Sequence, residues 1–182
     1  AAGADIAEMS TMGYVDMVHR SRGLRSAFST VAQIPQPTIA AITGYALGGG
    51  LELAMCCDFR VAGDNSKVGQ PEIALGIIPG GTGTQRLPRL LGRGRALEVI
   101  LGGDDLDAET AEAWGYLNRA LPADEIGPFV DRLARRIASF PAPAIAAAKA
   151  AVDAAERPLA EGLAEEAYLF QTLLATEEAP RN

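Results

Sequence analysis

The segment from Thr38 to Cys57 constrains the fold more than any other part of this chain. It is the least polar stretch of the sequence and has about the length of a membrane span, yet it contains Glu52 and four glycines. Insertion of such a segment into lipid would be costly. The pattern therefore predicts a buried strand, a glycine turn and a helix, in a protein that does not interact with a membrane.

Further short apolar runs and helical periodicities predict an α/β protein. The predicted strands are 38–42, 59–62, 67–69 and 116–121, and Gly44–Gly50 is predicted as a loop. The predicted helices are 14–33, 51–57, 84–91, 95–101, 107–114, 124–139, 144–156 and 158–176. Strands and helices thus share the first two thirds, and helices alone form the rest.

Composition excludes several classes of function. With 16 basic and 23 acidic residues among 182, the chain carries a formal charge of −7, which argues against a nucleic-acid-binding surface. The two cysteines, Cys56 and Cys57, are adjacent and lack metal or redox spacing, so we interpret them as buried thiols of a reducing compartment. His19 is the only histidine. No metal site is predicted.

Two glutamates beside glycine-rich turns are the candidates for chemistry. Glu52 follows the triplet Gly48-Gly49-Gly50, and Glu72 precedes a second glycine loop, 76–83. Two carboxylates at one pocket can divide acid and base work on a substrate. A glycine triplet at a helix start can present backbone N–H groups to a developing oxyanion. Together they indicate proton transfer next to a carbonyl group.

Each feature taken alone has a plainer explanation. Glu52 could complement the dipole of its helix, and Glu72 could be a solvated turn residue. The triplet could cradle a phosphate, but no Lys-Ser/Thr follows it and it is not a GxGxxG motif. Asp58 is interpreted as a structural hydrogen-bonding residue, and Tyr116 as a core residue.

These motifs resemble the crotonase family, the enoyl-CoA hydratase/isomerase superfamily. The resemblance is densest from Ile39 to Leu90 and includes IAAITGYALGGGLELAM, then Cys57-Asp58, QPE at 70–72, LGIIPG at 75–80 and GTQRLP at 83–88. Ala2-Gly3-Ala4-Asp5-Ile6 is similar to the first oxyanion loop of the family. Thr82 stands where many members carry glycine.

The resemblance implies a spiral of ββα turns with a helical C-terminal trimerisation region, and implies that the N-terminal part of the family fold is missing. The expected domains are 1–121, the spiral core, and 122–182, the helical region. Trimers of this family commonly pair, so a homotrimer or homohexamer is expected.

The resemblance also implies the site. Ala4 and Gly49 would donate the two N–H groups of the oxyanion hole, and Glu52 and Glu72 would be the catalytic carboxylates. The loop of Ala2, Gly3, Asp5 and Ile6 would bind substrate at coenzyme A. The substrate would be an acyl-CoA thioester, with no separate cofactor.

Retention of both glutamates favours an enoyl-CoA hydratase that converts a trans-2-enoyl-CoA into a 3-hydroxyacyl-CoA. We expect a cytoplasmic enzyme of fatty acid β-oxidation. The alternatives are an isomerase or another acyl-CoA lyase or hydratase of the family, and a truncated, non-catalytic oligomerising module.

Overall fold

The computed structural model describes residues 1–175. It consists of two compact units. The first contains Ala1–Gln33 and Thr38–Val130, and the second contains Ile34–Pro37 and the chain from Asp131 onward. All the predicted site residues fall in the first unit. The division into domains 1–121 and 122–182 stays a prediction.

Six short strands of the first unit form two three-stranded sheets. They are β1 (Ile39–Ile42), β2 (Tyr45–Leu47), β3 (Phe59–Gly63), β4 (Lys67–Gly69), β5 (Leu106–Asp107) and β6 (Arg119–Leu121). One sheet has the order β1-β3-β6, all parallel, and the other has the order β2-β4-β5, with β4 and β5 antiparallel. Strands β1 to β4 alternate between the two sheets. Each successive pair of strands therefore adds one strand to each sheet, and this arrangement is the predicted spiral.

The strand β2 lies where the sequence predicted a loop, so that prediction was wrong. Its register with β4 pairs Tyr45 with Lys67 and Leu47 with Gly69. A three-residue strand flanked by glycines has too little periodicity to be recognised locally, and it forms because β4 supplies its hydrogen-bond partners.

Polar side chains join the starts of β1 and β3 in the parallel sheet. Asp58 Oδ2 accepts hydrogen bonds from the backbone N and the Oγ1 of Thr38, at 2.7 and 3.0 Å. Thr38 Oγ1 in turn accepts a bond from Asp58 N at 3.1 Å. The structural role predicted for Asp58 is therefore confirmed, and the bonds join the starts of β1 and β3.

The helices of the first unit surround these sheets. They are α1 (Ile6–Met9), α2 (Tyr14–Gln33), α3 (Gly49–Cys56), α4 (Gly83–Leu91), α5 (Arg93–Gly102) and α6 (Ala108–Ala113), with a 3-10 helix at Pro71–Leu75. The core packs helix faces against both sheets, and its largest fully buried side chains include Leu51, Val61, Val68, Leu87 and Tyr116. Asp107 accepts a hydrogen bond from Thr110 N and is the N-cap of α6.

The chain continues as helices. Helix α7 (Ile126–Ala138) begins in the first unit, and α8 (Ala142–Asp153), a 3-10 turn (Ala154–Glu156) and α9 (Leu159–Leu174) belong to the second. Within that second unit, Lys149 Nζ donates to Gln36 O at 3.4 Å. No helix in residues 1–175 is long and apolar enough to cross a membrane.

Candidate active site

Glu52 is a buried carboxylate that the backbone of a distant loop holds in place. It lies in the first turn of α3 and is 3% exposed. Its Oε1 accepts hydrogen bonds from Thr82 N at 2.8 Å and from Gly83 N at 2.7 Å. These two hydrogen bonds offset part of the cost of burying the carboxylate. They also fix the direction in which Oε2 points.

Glu72 reaches the same region from the 3-10 helix. Burial, and in addition the charge of Glu52, raises the pKa of the Glu72 carboxyl above its usual value. The two carboxylates are therefore close enough to influence each other. A raised pKa makes this group a better proton donor near neutral pH than an exposed glutamate would be.

The glycine triplet brings the two carboxylates together. A Cβ atom added at Gly48 would stand 3.2 Å from Glu72 Oε1, and one added at Gly49 would stand 4.0 Å from Glu52 Oε2. Gly48 also has φ +52° and ψ −128°, a conformation that residues with a side chain avoid. The missing side chains thus make room for Glu72 and allow the sharp turn into α3.

Two backbone N–H groups predicted to form the oxyanion hole lie beside this turn. Gly49 is the first residue of α3, so its N–H has no acceptor within the helix. A Cβ atom at Gly3 would stand 3.5 Å from Gly49 N, which places the Gly3–Ala4 segment against it. Within residues 1–175, neither Ala4 N nor Gly49 N donates to a protein acceptor. Both therefore remain available to a ligand.

The first residues are fixed to β2 by backbone hydrogen bonds. Ala1 N donates to Tyr45 O at 2.8 Å, and Leu47 N donates to Ala1 O at 3.0 Å. Asp5 accepts a bond from Glu8 N and caps α1. Its carboxylate therefore has a structural role, which the sequence did not predict.

The other predicted loop residues, Ala2 and Ile6, are exposed. The assignment of Ala2, Gly3, Asp5 and Ile6 to coenzyme A binding stays a prediction.

A cavity of about 280 Å³ lies elsewhere in the first unit, between β1 and α3. Its lining includes Ala40, Thr43, Leu53 and Cys57, and none of the residues predicted for the site. It offers no carboxylate or cationic side chain, so we do not assign the chemistry to it.

The sequence missed three groups that complete the site. No chemical role was predicted for the loop at 80–83, and the structure shows that the N–H groups of Thr82 and Gly83 hold Glu52. Gln70 is fully buried, and in the amide orientation that satisfies both of its ends, its nitrogen donates to the two oxygens of Glu72 at 3.0 and 3.1 Å. The glutamine of the QPE motif, two residues before a catalytic candidate, was the one available signal in the sequence. No group of three or more metal-ligating side chains occurs among the described residues.

Comparison with known proteins identifies the family. The model of the enoyl-CoA hydratase/isomerase family matches residues 1–181. The chain belongs to the enoyl-CoA hydratase/isomerase family. A probable enoyl-CoA hydratase of Rhizobium meliloti is 46% identical over 179 residues, which are 98% of this chain and 69% of the relative. A crotonyl-CoA hydratase of Syntrophomonas wolfei is 40% identical, over 97% of this chain and 68% of the relative.

Solved structures of this enoyl-CoA hydratase/isomerase family superimpose closely. The crystal structure of an enoyl-CoA hydratase from Bacillus anthracis has a TM-score of 0.94 and 39% identity, and the match covers 97% of this chain and 69% of that one. The predicted fold class and the resemblance to the family are confirmed. The chain spans 69% of the length of the Rhizobium meliloti relative and of the Bacillus anthracis structure.

Proposed function

We propose that this protein hydrates the 2,3 double bond of a trans-2-enoyl-CoA thioester and produces a 3-hydroxyacyl-CoA. The observation that carries this proposal is the convergence of two carboxylates, Glu52 and Glu72, on the glycine triplet that opens α3. The predicted class of enzyme, an enoyl-CoA hydratase, is confirmed by the family and by the names of the relatives.

The thioester oxygen would bind between Ala4 N and Gly49 N. When a nucleophile attacks C3, negative charge moves through C2 onto this oxygen, and two N–H donors stabilise that charge. Gly49 N lies at the positive end of a helix, which adds to the effect. Loss of one such donor costs about 3–4 kcal/mol of transition-state stabilisation in comparable sites.

The two carboxylates would hold one water molecule between them. Glu52, fixed by two N–H bonds, accepts a proton as the water oxygen bonds to C3. Glu72, whose pKa is raised, delivers a proton to C2. The double bond is replaced by a C3–O and a C2–H bond. After the reaction Glu52 carries an extra proton and Glu72 lacks one. A proton then passes from Glu52 to Glu72, directly or through solvent, and restores the starting state.

The finer predictions extend this proposal. The segment 2–6 binds coenzyme A, no separate cofactor takes part, and the enzyme serves fatty acid β-oxidation in the cytoplasm as a homotrimer or homohexamer. Exposed apolar side chains on the helices of the second unit support self-association; they are Val152, Leu159, Leu163, Tyr168, Phe170 and Leu174.

The test is to measure hydration of crotonyl-CoA and of longer enoyl-CoA substrates. The loss of absorbance of the conjugated thioester reports the reaction. Glu52→Gln and Glu72→Gln should each lower kcat about 10²- to 10⁴-fold because each removes a proton-transfer group. Glu98→Gln, an exposed change on α5, is the matched control and should retain activity.

Product analysis separates hydration from the alternatives. Reaction in H₂¹⁸O should place one ¹⁸O atom at C3 of the product. If the wild-type protein instead moves the double bond of a 3-enoyl-CoA without incorporating oxygen, it is an isomerase. If it binds enoyl-CoA but turns over neither substrate, the non-catalytic module replaces this proposal.

A further inference from the structure

Tyr116 is a buried tyrosine that the reaction described above does not use. It follows α6 and is 0% exposed. Its backbone is fixed on both sides, since its N donates to Ala111 O at 2.8 Å and its O accepts from Arg60 Nε at 2.9 Å. The ring therefore has a defined position in the core, and the position of its hydroxyl group needs an explanation, because a buried hydroxyl usually has a hydrogen-bond partner.

The hydroxyl lies against the side-chain amide of Gln70. The oxygen and nitrogen of such an amide are assigned from their partners, and only one orientation suits this site. With the nitrogen turned away from Glu72, the amide oxygen faces only acceptors and the nitrogen only donors. In that orientation the Tyr116 hydroxyl has no hydrogen-bond partner.

The opposite orientation satisfies both ends of the amide. Gln70 Nε2 then donates to Glu72 Oε2 at 3.1 Å and to Oε1 at 3.0 Å, and Oε1 of Gln70 faces the buried donors. Burial raises the pKa of the Tyr116 phenol well above its usual value, so the hydroxyl keeps its proton and can donate. Among the side-chain atoms of residues 1–175, Arg86 Nε is the other buried polar atom without a hydrogen-bond partner.

We propose that Tyr116 is a positioning residue, whose hydroxyl donates to Gln70 Oε1 and thereby directs the amide nitrogen of Gln70 toward the carboxylate of Glu72. The inference rests on the proposed function and deepens it. Tyr116 does not touch the substrate. It acts through Gln70. The hydrogen bonds run from Tyr116 to Gln70 and from Gln70 to Glu72, the residue that we assign as the proton donor.

The arrangement has a consequence for protonation of Glu72. Hydrogen bonds to a carboxylate favour its charged form, whereas burial and the charge of Glu52 favour the neutral form. The charged groups that act on Tyr116 are Arg60, Glu52 and Glu72 itself. Without the hydroxyl, the amide of Gln70 can turn and present its oxygen to Glu72, which would raise the pKa of that carboxyl further.

The experiment is Tyr116→Phe in the whole protein, with two readouts. The first is the pKa of Glu72 from NMR titration of ¹³Cδ-labelled glutamate, assigned with Glu72→Gln, which does not depend on activity. We expect a rise on the order of half a unit to one unit. The second is the pH profile of kcat. The limb of this profile that reports ionisation of Glu72 should move by the same amount, and KM should change less than twofold. Tyr14→Phe, an exposed change at the start of α2, is the control and should change neither.

A double-mutant cycle with Gln70→Met identifies the route. If Tyr116 acts through Gln70, Tyr116→Phe has no further effect on the pKa of Glu72 once Gln70 is methionine. Additive effects, or an unchanged pKa of Glu72 in Tyr116→Phe, would overturn the inference. If the wild-type enzyme lacks hydratase activity but the pKa shifts as expected, the proposed function fails and the positioning role stands.

The wild-type protein provides a measurement if Tyr116→Phe does not fold. A buried tyrosine hydroxyl that donates to Gln70 should give a slowly exchanging proton resonance, assigned with ¹³Cζ-labelled tyrosine and lost in Gln70→Met. Absence of that resonance from the folded wild-type protein would equally overturn the inference.

Discussion

Glu72 Oε1 lies 3.2 Å from the point at which any residue other than glycine at position 48 would place its Cβ atom. The carboxylate therefore occupies space that the glycine triplet leaves open. Gly48 N donates at the same time to Gly69 O at 3.0 Å, which holds the turn against β4. Position 48 thus meets two demands, an unusual backbone conformation and close contact with a functional side chain.

Gly48→Ala should abolish most of the hydratase activity. The new methyl group would stand 3.2 Å from Glu72 Oε1, so the carboxylate would have to move by a few tenths of an ångström. A misplacement of about 1 Å in a reacting group costs about 100-fold in rate, and a smaller shift costs part of that. The backbone strain should also cost about 1–3 kcal/mol of stability. Steady-state kinetics and thermal denaturation measure the two effects.

Gly92→Ala is the matched control for the strain alone. Gly92 has φ +77° and ψ 161°, also unfavourable for alanine, but a Cβ atom there would have no neighbour within 4 Å. It should lose comparable stability and keep near wild-type kcat at a temperature where it is folded. Equal kinetic losses in both variants would mean that contact with Glu72 is not the cause.

Gly83→Ala should weaken the support of the other carboxylate. A Cβ atom there would meet Pro79 Cβ at 2.6 Å and Glu52 Oε1 at 3.0 Å, so the N–H donor must shift away from Glu52. We expect kcat to fall about 10- to 100-fold, since the orientation of the catalytic group is lost. Gly94→Ala, close to the start of α5 with nothing within 4 Å, is the control and should leave kcat unchanged. A fully active Gly83→Ala would contradict the role given to this loop.

Residue chemistry made the two glutamates visible in the sequence, but not the groups that hold them. Glu52 could be identified because it follows a glycine triplet, and Glu72 because it precedes a glycine loop. The donors to Glu52 come from Thr82 and Gly83, whose backbone amides carry no sequence signature. Tyr116 has the sequence properties of an ordinary core residue, and only the fold places its hydroxyl beside Gln70.

The same distinction holds for the fold. Helix α2 spans the predicted 14–33, because twenty residues give a clear period. The short strand β2, and β5 with its two residues, escaped prediction because long-range pairing creates them. The family motifs identified the spiral that local patterns could not.

Glu72→Gln should stabilise the folded protein at neutral and alkaline pH. Because the pKa of Glu72 is raised in the folded state, the protein binds this proton more tightly than the unfolded chain does. The resulting stability is fully present below the usual pKa of 4.5 and is lost as pH rises through the folded-state value. Glutamine avoids that loss. The Tm of Glu72→Gln should therefore exceed that of wild type at pH 8, and the difference should vanish below about pH 4.5. Glu98→Gln should show no such pH-dependent gain. A lower Tm for Glu72→Gln at pH 8 would mean that the buried charge is compensated by its partners.

Thr38→Val should destabilise the first unit without changing the chemistry at the glutamates. Valine preserves the shape of threonine but removes an oxygen that donates to Asp58 Oδ2 and accepts from Asp58 N. The backbone N of residue 38 can still donate to Asp58, so we expect a loss of about 1–3 kcal/mol rather than unfolding. Urea denaturation measures it. Thr30→Val, on the exposed side of α2, is the control, since its hydroxyl donates only within the helix, to Ser26 O. A kcat lowered at a temperature where Thr38→Val is fully folded would show that the junction of β1 and β3 also positions the active site.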